Sequence, residues 1–202
     1  MAYDTYASLK STVADMMARS DLTSSLDLFV TQATNFLNRR IRLREMETIA
    51  TLTPVDGVVT LPTDYLQYRR VVDLGSPRTE VSYMAPTAVD QAYQTSYAGK
   101  AIHFTIIGTS LYTRPLTANN VELTYYAKLP HLSDAQTTNA LLTAHPDVYL
   151  RASLAFGFDF IRDDAQMQKH MAIADALIDE ATTNDRIANY AKAGTWIKGV
   201  TP

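Results

Sequence analysis

The sequence predicts an α+β protein, a helical-bundle body of four main helices with an antiparallel β-rich domain inserted between helices 2 and 3. Three observations predict it. Apolar residues recur at helical spacing at both ends of the chain. Between residues 48 and 128 the period falls to two, in β-branched and aromatic runs separated by turn residues. The order helices, strands, helices segregates the element types, where an α/β fold would alternate them. The predicted bounds are 1–47 and 129–193 for the helical body, 48–128 for the insert and 194–202 for a C-terminal tail.

In residues 4–18, Tyr6, Leu9, Val13 and Met16/Met17 recur at helical spacing, with Asp4 as N-cap. A second helix over about 22–44 gathers Leu22, Leu26, Phe29, Val30, Ala33, Phe36 and Leu37 into one stripe. The segment HPDVYLRASLAFGFDFIR alternates as a buried strand would. Pro146 suits the first helical position, however, and the run is long for a strand. It reads as a helix apolar nearly all round, and therefore central. The fourth helix starts at Asp163/Asp164, either of which can cap, and runs through Ile178 and Ala181. At TTND (182–185) it ends or bends. Between these pairs, TIATLTPVDGVVTL reads as a hairpin turning at Pro54 to Gly57. YRRVVDL, TEVSYM, AIHFTIIG, SLYTRP and VELTYYAK read as short strands, and APTAVDQAYQ as a short helix among them.

With 47% hydrophobic and 19% charged residues the chain is a folded globular protein, excluded from the disordered class. It has no cysteine, which removes disulfides, thiol catalysis and thiolate metal sites together. The four histidines have no zinc spacing. No run of apolar residues is long enough to span a bilayer, and MAYDTYASLK lacks the basic start of a signal peptide, so a cytosolic product is expected. Phosphate-binding, dinucleotide-binding, nucleophile-elbow and zincin motifs are missing from the sequence. Asp163 with Asp164, His145 before Pro146, and Glu45 with Glu47 are the nearest approaches to a site. They read better as a helix cap, a turn histidine and members of ion pairs. The expectation is therefore no catalysis, no cofactor and no metal.

Residues 20–180 carry a further signal. FVTQATNFLNRRIRLREME is followed by VTLPTDYLQYRRVVDL, then YTRPLTANNVELTYYAKLPHLSD and LLTAHPDVYLRASLAFGFDFIRDD. In this order they resemble the head-to-tail adaptor (connector) proteins of tailed bacteriophages, the L-P-x-D-Y step and the P-D-x-Y-L helix start being the most specific elements. The resemblance implies a structural protein at the head–tail junction of the virion, assembled in the host cytoplasm. It implies a ring of typically twelve copies beneath the portal protein, extending the DNA channel and offering a platform to a tail or nozzle protein. Double-stranded DNA would pass without specific binding, and no membrane is involved. Two other classes compete: a virion-associated cell-wall-degrading enzyme, which a zymogram would reveal, and a soluble DNA-binding module, which a salt-dependent gel shift would reveal.

The arginine cluster NRRIRLRE (38–45) is where charge and function meet. The chain's formal net charge is −3; without the four arginines it is −3 − 4 = −7, so the molecule is not a basic DNA binder. Cations at a helix end complement the negative end of its dipole, each worth about 0.3–1 kcal/mol. If helix continues through 44, Arg40 and Arg44 lie on the apolar stripe and must snorkel or pair at the domain junction. Arg39 and Arg42 project away from it and are the candidate contacts to a neighbouring subunit, the portal or the DNA channel. Residues 154–190 hold seven acids and three bases, net −4, a complement that would favour correct order in a ring of heterologous contacts. Trp196, the only tryptophan, is either packed on its own domain or the aromatic anchor of an arm that docks on the portal or a tail component.

Overall fold

In the computed structural model, residues 3–190 are described. In chain order the elements are α1 (Tyr6–Met17), α2 (Leu26–Arg40), β1 (Glu47–Leu52), β2 (Val58–Thr60), β3 (Tyr65–Asp73), β4 (Thr79–Glu80) and β5 (Ser82–Tyr83). They continue as α3 (Pro86–Ala92), β6 (His103–Ile107), β7 (Ser110–Arg114), β8 (Val121–Ala127), α4 (Ala140–Ala144), α5 (Pro146–Phe160) and α6 (Asp164–Tyr190). The protein is α+β. Of the described residues, those up to Glu45 and from Leu129 onward form one compact unit, and Met46–Lys128 forms another.

The first unit is helical and is organised around α5, which packs against α1, α2, α4 and α6. The alternating apolar pattern of α5 therefore belongs to a helix surrounded by helices, with Val148, Tyr149, Ala152, Leu154 and Ala155 buried. Pro146 opens it, as its missing N–H and fixed φ allow. Gly157 is what permits close packing here. A Cβ at that position would lie 2.6 Å from Met17 Sδ and 3.3 Å from the Phe29 ring.

Several boundaries differ from the sequence reading. Thr5, not Asp4, caps α1: its hydroxyl accepts from the Ser8 N–H while the Ser8 hydroxyl accepts from the Thr5 N–H, a capping box. The second helix runs from Leu26 to Arg40 only, preceded by a 3₁₀ turn at Thr23–Ser25. Beyond Arg40 the chain is extended at Ile41 and enters a 3₁₀ turn over Arg44–Met46, burying Ile41 and Leu43 and leaving Arg44 exposed. α6 neither ends nor bends into a new element at TTND but continues to Tyr190, because threonine, asparagine and aspartate each cost a helix only tenths of a kcal/mol and no Gly or Pro interrupts it. Asp163 does cap it, accepting from the Gln166 N–H at 3.1 Å. The short α4, capped by Asn139, has too few residues to show a periodicity.

The second unit holds two four-stranded sheets, ordered β1-β8-β3-β4 and β2-β7-β6-β5. Val71, Val121, Leu123 and Tyr125 from the first sheet share one core with Val59, Phe104 and Leu111 from the second. The hairpin expected over 48–61 does not form. Asp56 and Gly57 do make a tight turn with positive φ (49° and 72°), and Val55 and Val58 exchange backbone hydrogen bonds across it. Pro54 cannot extend that ladder, and the flanking strands part: β1 pairs with β8, β2 with β7. One pair is parallel, β5 with β6, and α3 lies in the crossover that parallel pairing requires.

Asp73 is the buried charge that holds this unit's connections. Its carboxylate accepts from the Gly75 N–H (2.8 Å), the Ala101 N–H (3.0 Å), the Thr117 hydroxyl (2.8 Å) and the Asn119 amide (2.9 Å). Burial alone would raise its pKa. The four donors outweigh burial and hold it below the ordinary aspartate value. A carboxyl depressed in the folded state contributes stability that is present above the unfolded pKa of about 3.9 and is lost as pH falls through the folded value. Asp73→Asn should therefore lower the stability of this unit at pH 7 by about 1–3 kcal/mol. The difference between variant and parent should narrow in acid, as read by urea unfolding between pH 7 and 3.

Candidate assembly surface

The end of α2 is fixed by a buried amide. Asn38 is 5% exposed, and its side chain pairs with Leu129 in both directions: Nδ2 donates to the Leu129 carbonyl (3.2 Å) and Oδ1 accepts the Leu129 N–H (2.8 Å). A second polar chain lies beside it. Thr34 Oγ1 meets the Tyr149 hydroxyl at 3.2 Å, and the Asn139 amide donates to that hydroxyl (2.8 Å) and to the Pro130 carbonyl (3.1 Å). Burial raises the Tyr149 pKa, so the group stays a neutral phenol. Sequence reasoning missed these residues. The available signal was Thr34 and Asn38, two polar residues one turn apart on the apolar stripe of Val30 and Leu37.

The four arginines have four different fates. Arg40 is half-exposed and pairs with Asp175 of α6 at 2.8 Å while lying over the Phe36 ring. Arg42 folds its Nη1 back onto the carbonyls of Asn38 and Ile41, capping the helix end that it follows, so it does not project freely as the continuous-helix reading expected. Arg44 is exposed, and its backbone N–H faces Asp185 Oδ1 at 3.4 Å. Arg39 is exposed and makes no ion pair among the described residues. Arg40, still within α2, is accommodated by its pair with Asp175, and because the helix ends there Arg44 no longer falls on the apolar stripe. Trp196 lies outside the described residues.

Across from this cluster, α6 presents Asp164, Asp179 and Glu180, all exposed and without an ion pair among the described residues. A cleft of about 240 Å³ is lined by Arg44, Glu45, His145, Asn184 and Asp185. His145 is the residue shared between the end of α4 and the start of α5, a turn position. Glu47 is ion-paired with Arg69 at 2.7 Å. Among the described residues, no three metal-ligating side chains gather, and no helix is long and apolar enough to cross a membrane.

Charged residues stand exposed on α2 and α6, available for contact with other proteins. The SU10 adaptor protein family matches residues 4–195, and the chain belongs to that family. It is thus a phage structural adaptor, a viral protein and a component of the virion. No curated protein matches the chain.

The buried amide and the surface ion pair differ in weight. Asn38→Ala strands a buried N–H and a buried carbonyl and should destabilise the helical unit by about 2–3 kcal/mol. Arg40→Ala removes a half-exposed pair and should cost about 1 kcal/mol or less. Equal losses in chemical denaturation would contradict this assignment.

Proposed function

We propose that the chain is a head-to-tail adaptor that assembles as a ring, of twelve copies by the family resemblance, beneath the portal. There it extends the DNA channel and forms the platform for the tail. The observation that carries this reading is the family match, which spans residues 4–195 and so takes in both structural units.

A ring needs heterologous contacts, in which one surface of each copy meets a different surface of the next. Arg39 supplies a positive point at the end of α2, and Asp179 and Glu180 supply a negative stretch on α6. Arg40 and Asp175 already satisfy each other within one copy, so the charges left for a neighbour are those beside them. Such rim charges set order and register more than affinity. Arg39 serves equally where it faces the portal, or where it lines a channel through which DNA must slide.

Arg39→Glu leaves Asn38 and Arg42 in place, so the helix end should stay folded. Mixed with portal-bearing heads, this variant should attach at least about tenfold less than the parent in a co-sedimentation assay at low salt, with the deficit shrinking at high salt. Undiminished attachment at low salt would remove Arg39 from the contact. Failure of the parent chain itself to bind portal-bearing heads would overturn the adaptor position.

A further inference from the structure

A β-sheet edge is a template for another strand unless something blunts it, by shortness, bulges, proline or charge. Three of the four sheet edges in the second unit are blunted. β2 has three residues, and β4 and β5 have two each. Ahead of Val72, β3 has no β4 partner, but this stretch carries two bulges, exposed Arg69 and Arg70, and a Tyr65 hydroxyl that occupies the Tyr68 N–H.

β1 is the exception. Its six residues pair with β8 in unbroken register, with no bulge, proline, lysine or arginine. Its one charged residue, Glu47, is tied to Arg69. Its backbone makes no hydrogen bond on the side away from β8 among the described residues. Thr48, Ile49 and Thr51 are exposed, Ile49 at 65%. Every second residue therefore directs an N–H and a C=O outward with nothing to receive them.

We propose that this edge receives residues 194–200 of a neighbouring copy as an added strand. The inference rests on the ring assembly proposed above. A ring excludes pairing of β1 with β1, because a two-fold contact closes after two copies. The proposed occupant is therefore a different segment, taken from the adjacent copy. Residues 191–202 follow α6, and twelve residues span about 40 Å when extended at about 3.3 Å per residue. Within them GTWIKGV carries threonine, tryptophan, isoleucine and valine, which favour strands, beside two glycines and a lysine, which do not. An edge whose single charge is already paired suits such a strand: main-chain hydrogen bonds hold it, and an apolar side chain can cover Ile49.

The single tryptophan makes the test direct. A full-length Trp196→Ser chain contains no tryptophan, so a synthetic peptide of residues 191–202 added to it reports its own docking. Its emission should shift to the blue and saturate, and amide exchange should slow in residues 47–52. Ile49→Lys together with Thr51→Lys in the receiving chain, both at exposed positions, should weaken peptide binding by roughly tenfold or more without altering the circular dichroism of the protein. Peptide binding that ignores these two substitutions, protection elsewhere than 47–52, or no binding at all would overturn the proposal. So would protection of 47–52 in the parent chain at dilutions where it sediments as a monomer, since the tail would then dock on its own copy. Rings that form with 47–52 unprotected would sink the strand and spare the ring. Saturable docking on β1 in a chain that never forms rings, with or without portal, would do the reverse.

Discussion

A chain that leaves a helical unit at residue 45 and returns to it at residue 129 must fix the point of return, and one side chain does so. Asn38 presents to Leu129 the donor and acceptor of a strand residue, although it sits in the last turn of a helix. Because the pair is buried, neither partner can fall back on water, and breaking it leaves two polar groups unsatisfied. The second unit solves the same problem with backbone. Its first and last strands, β1 and β8, pair from Glu47↔Tyr126 to Leu52↔Val121, so the chain enters and leaves along one ladder. The long sequence separation of these contacts costs loop-closure entropy, which grows only slowly with length, and the contacts must offset it.

Several buried polar groups elsewhere are likewise satisfied by specific partners, although Thr105 Oγ1 and Ser153 Oγ are buried without one among the described residues. Asp73 is charged and buried, and four donors surround it. Tyr149 is buried with its hydroxyl between Thr34 and Asn139. His170 is buried too, stacked on Phe158 with Arg151 at 3.3 Å, and burial together with the neighbouring Arg151 and Lys169 holds its pKa below the ordinary value. The surface pairs, Arg40–Asp175 and Arg78–Glu122 among them, lie where water screens them and so do little to fix the fold. The exposed charges beside these pairs, Arg39, Asp179 and Glu180, make no ion pair among the described residues.

What the sequence revealed depended on how many residues voted. The α+β class was legible because long periodic runs outweigh local exceptions, and α5 was identified against its own strand-like alternation by Pro146 and by length. Decisions that rest on one or two residues were less legible. The end of α2 turns on Ile41 and Leu43, whose alternation is two residues long, and the arginines at 40 and 44 mark the break only in retrospect. The Asp56-Gly57 turn was readable, but which strands its arms would join was not, because pairing with β8 and β7 is decided some sixty residues away. Of the candidate site, Arg39 stands exposed as its register suggested, whereas Arg42 is used locally by carbonyls that only a helix ending at Arg40 leaves open. Asn38 and Thr34 were visible as polar interruptions of an apolar stripe, though their partners, far along the chain, were not.

The family places the chain in the virion, and the proposed function rests on lateral contact between copies. The decisive measurement is an electron-microscopy map of assembled particles in which this polypeptide is traced. Copies arranged around the channel directly below the portal, each touching two neighbours through unlike surfaces, would bear the account out. A single copy at that vertex, or density for the chain anywhere else on the particle, would contradict it.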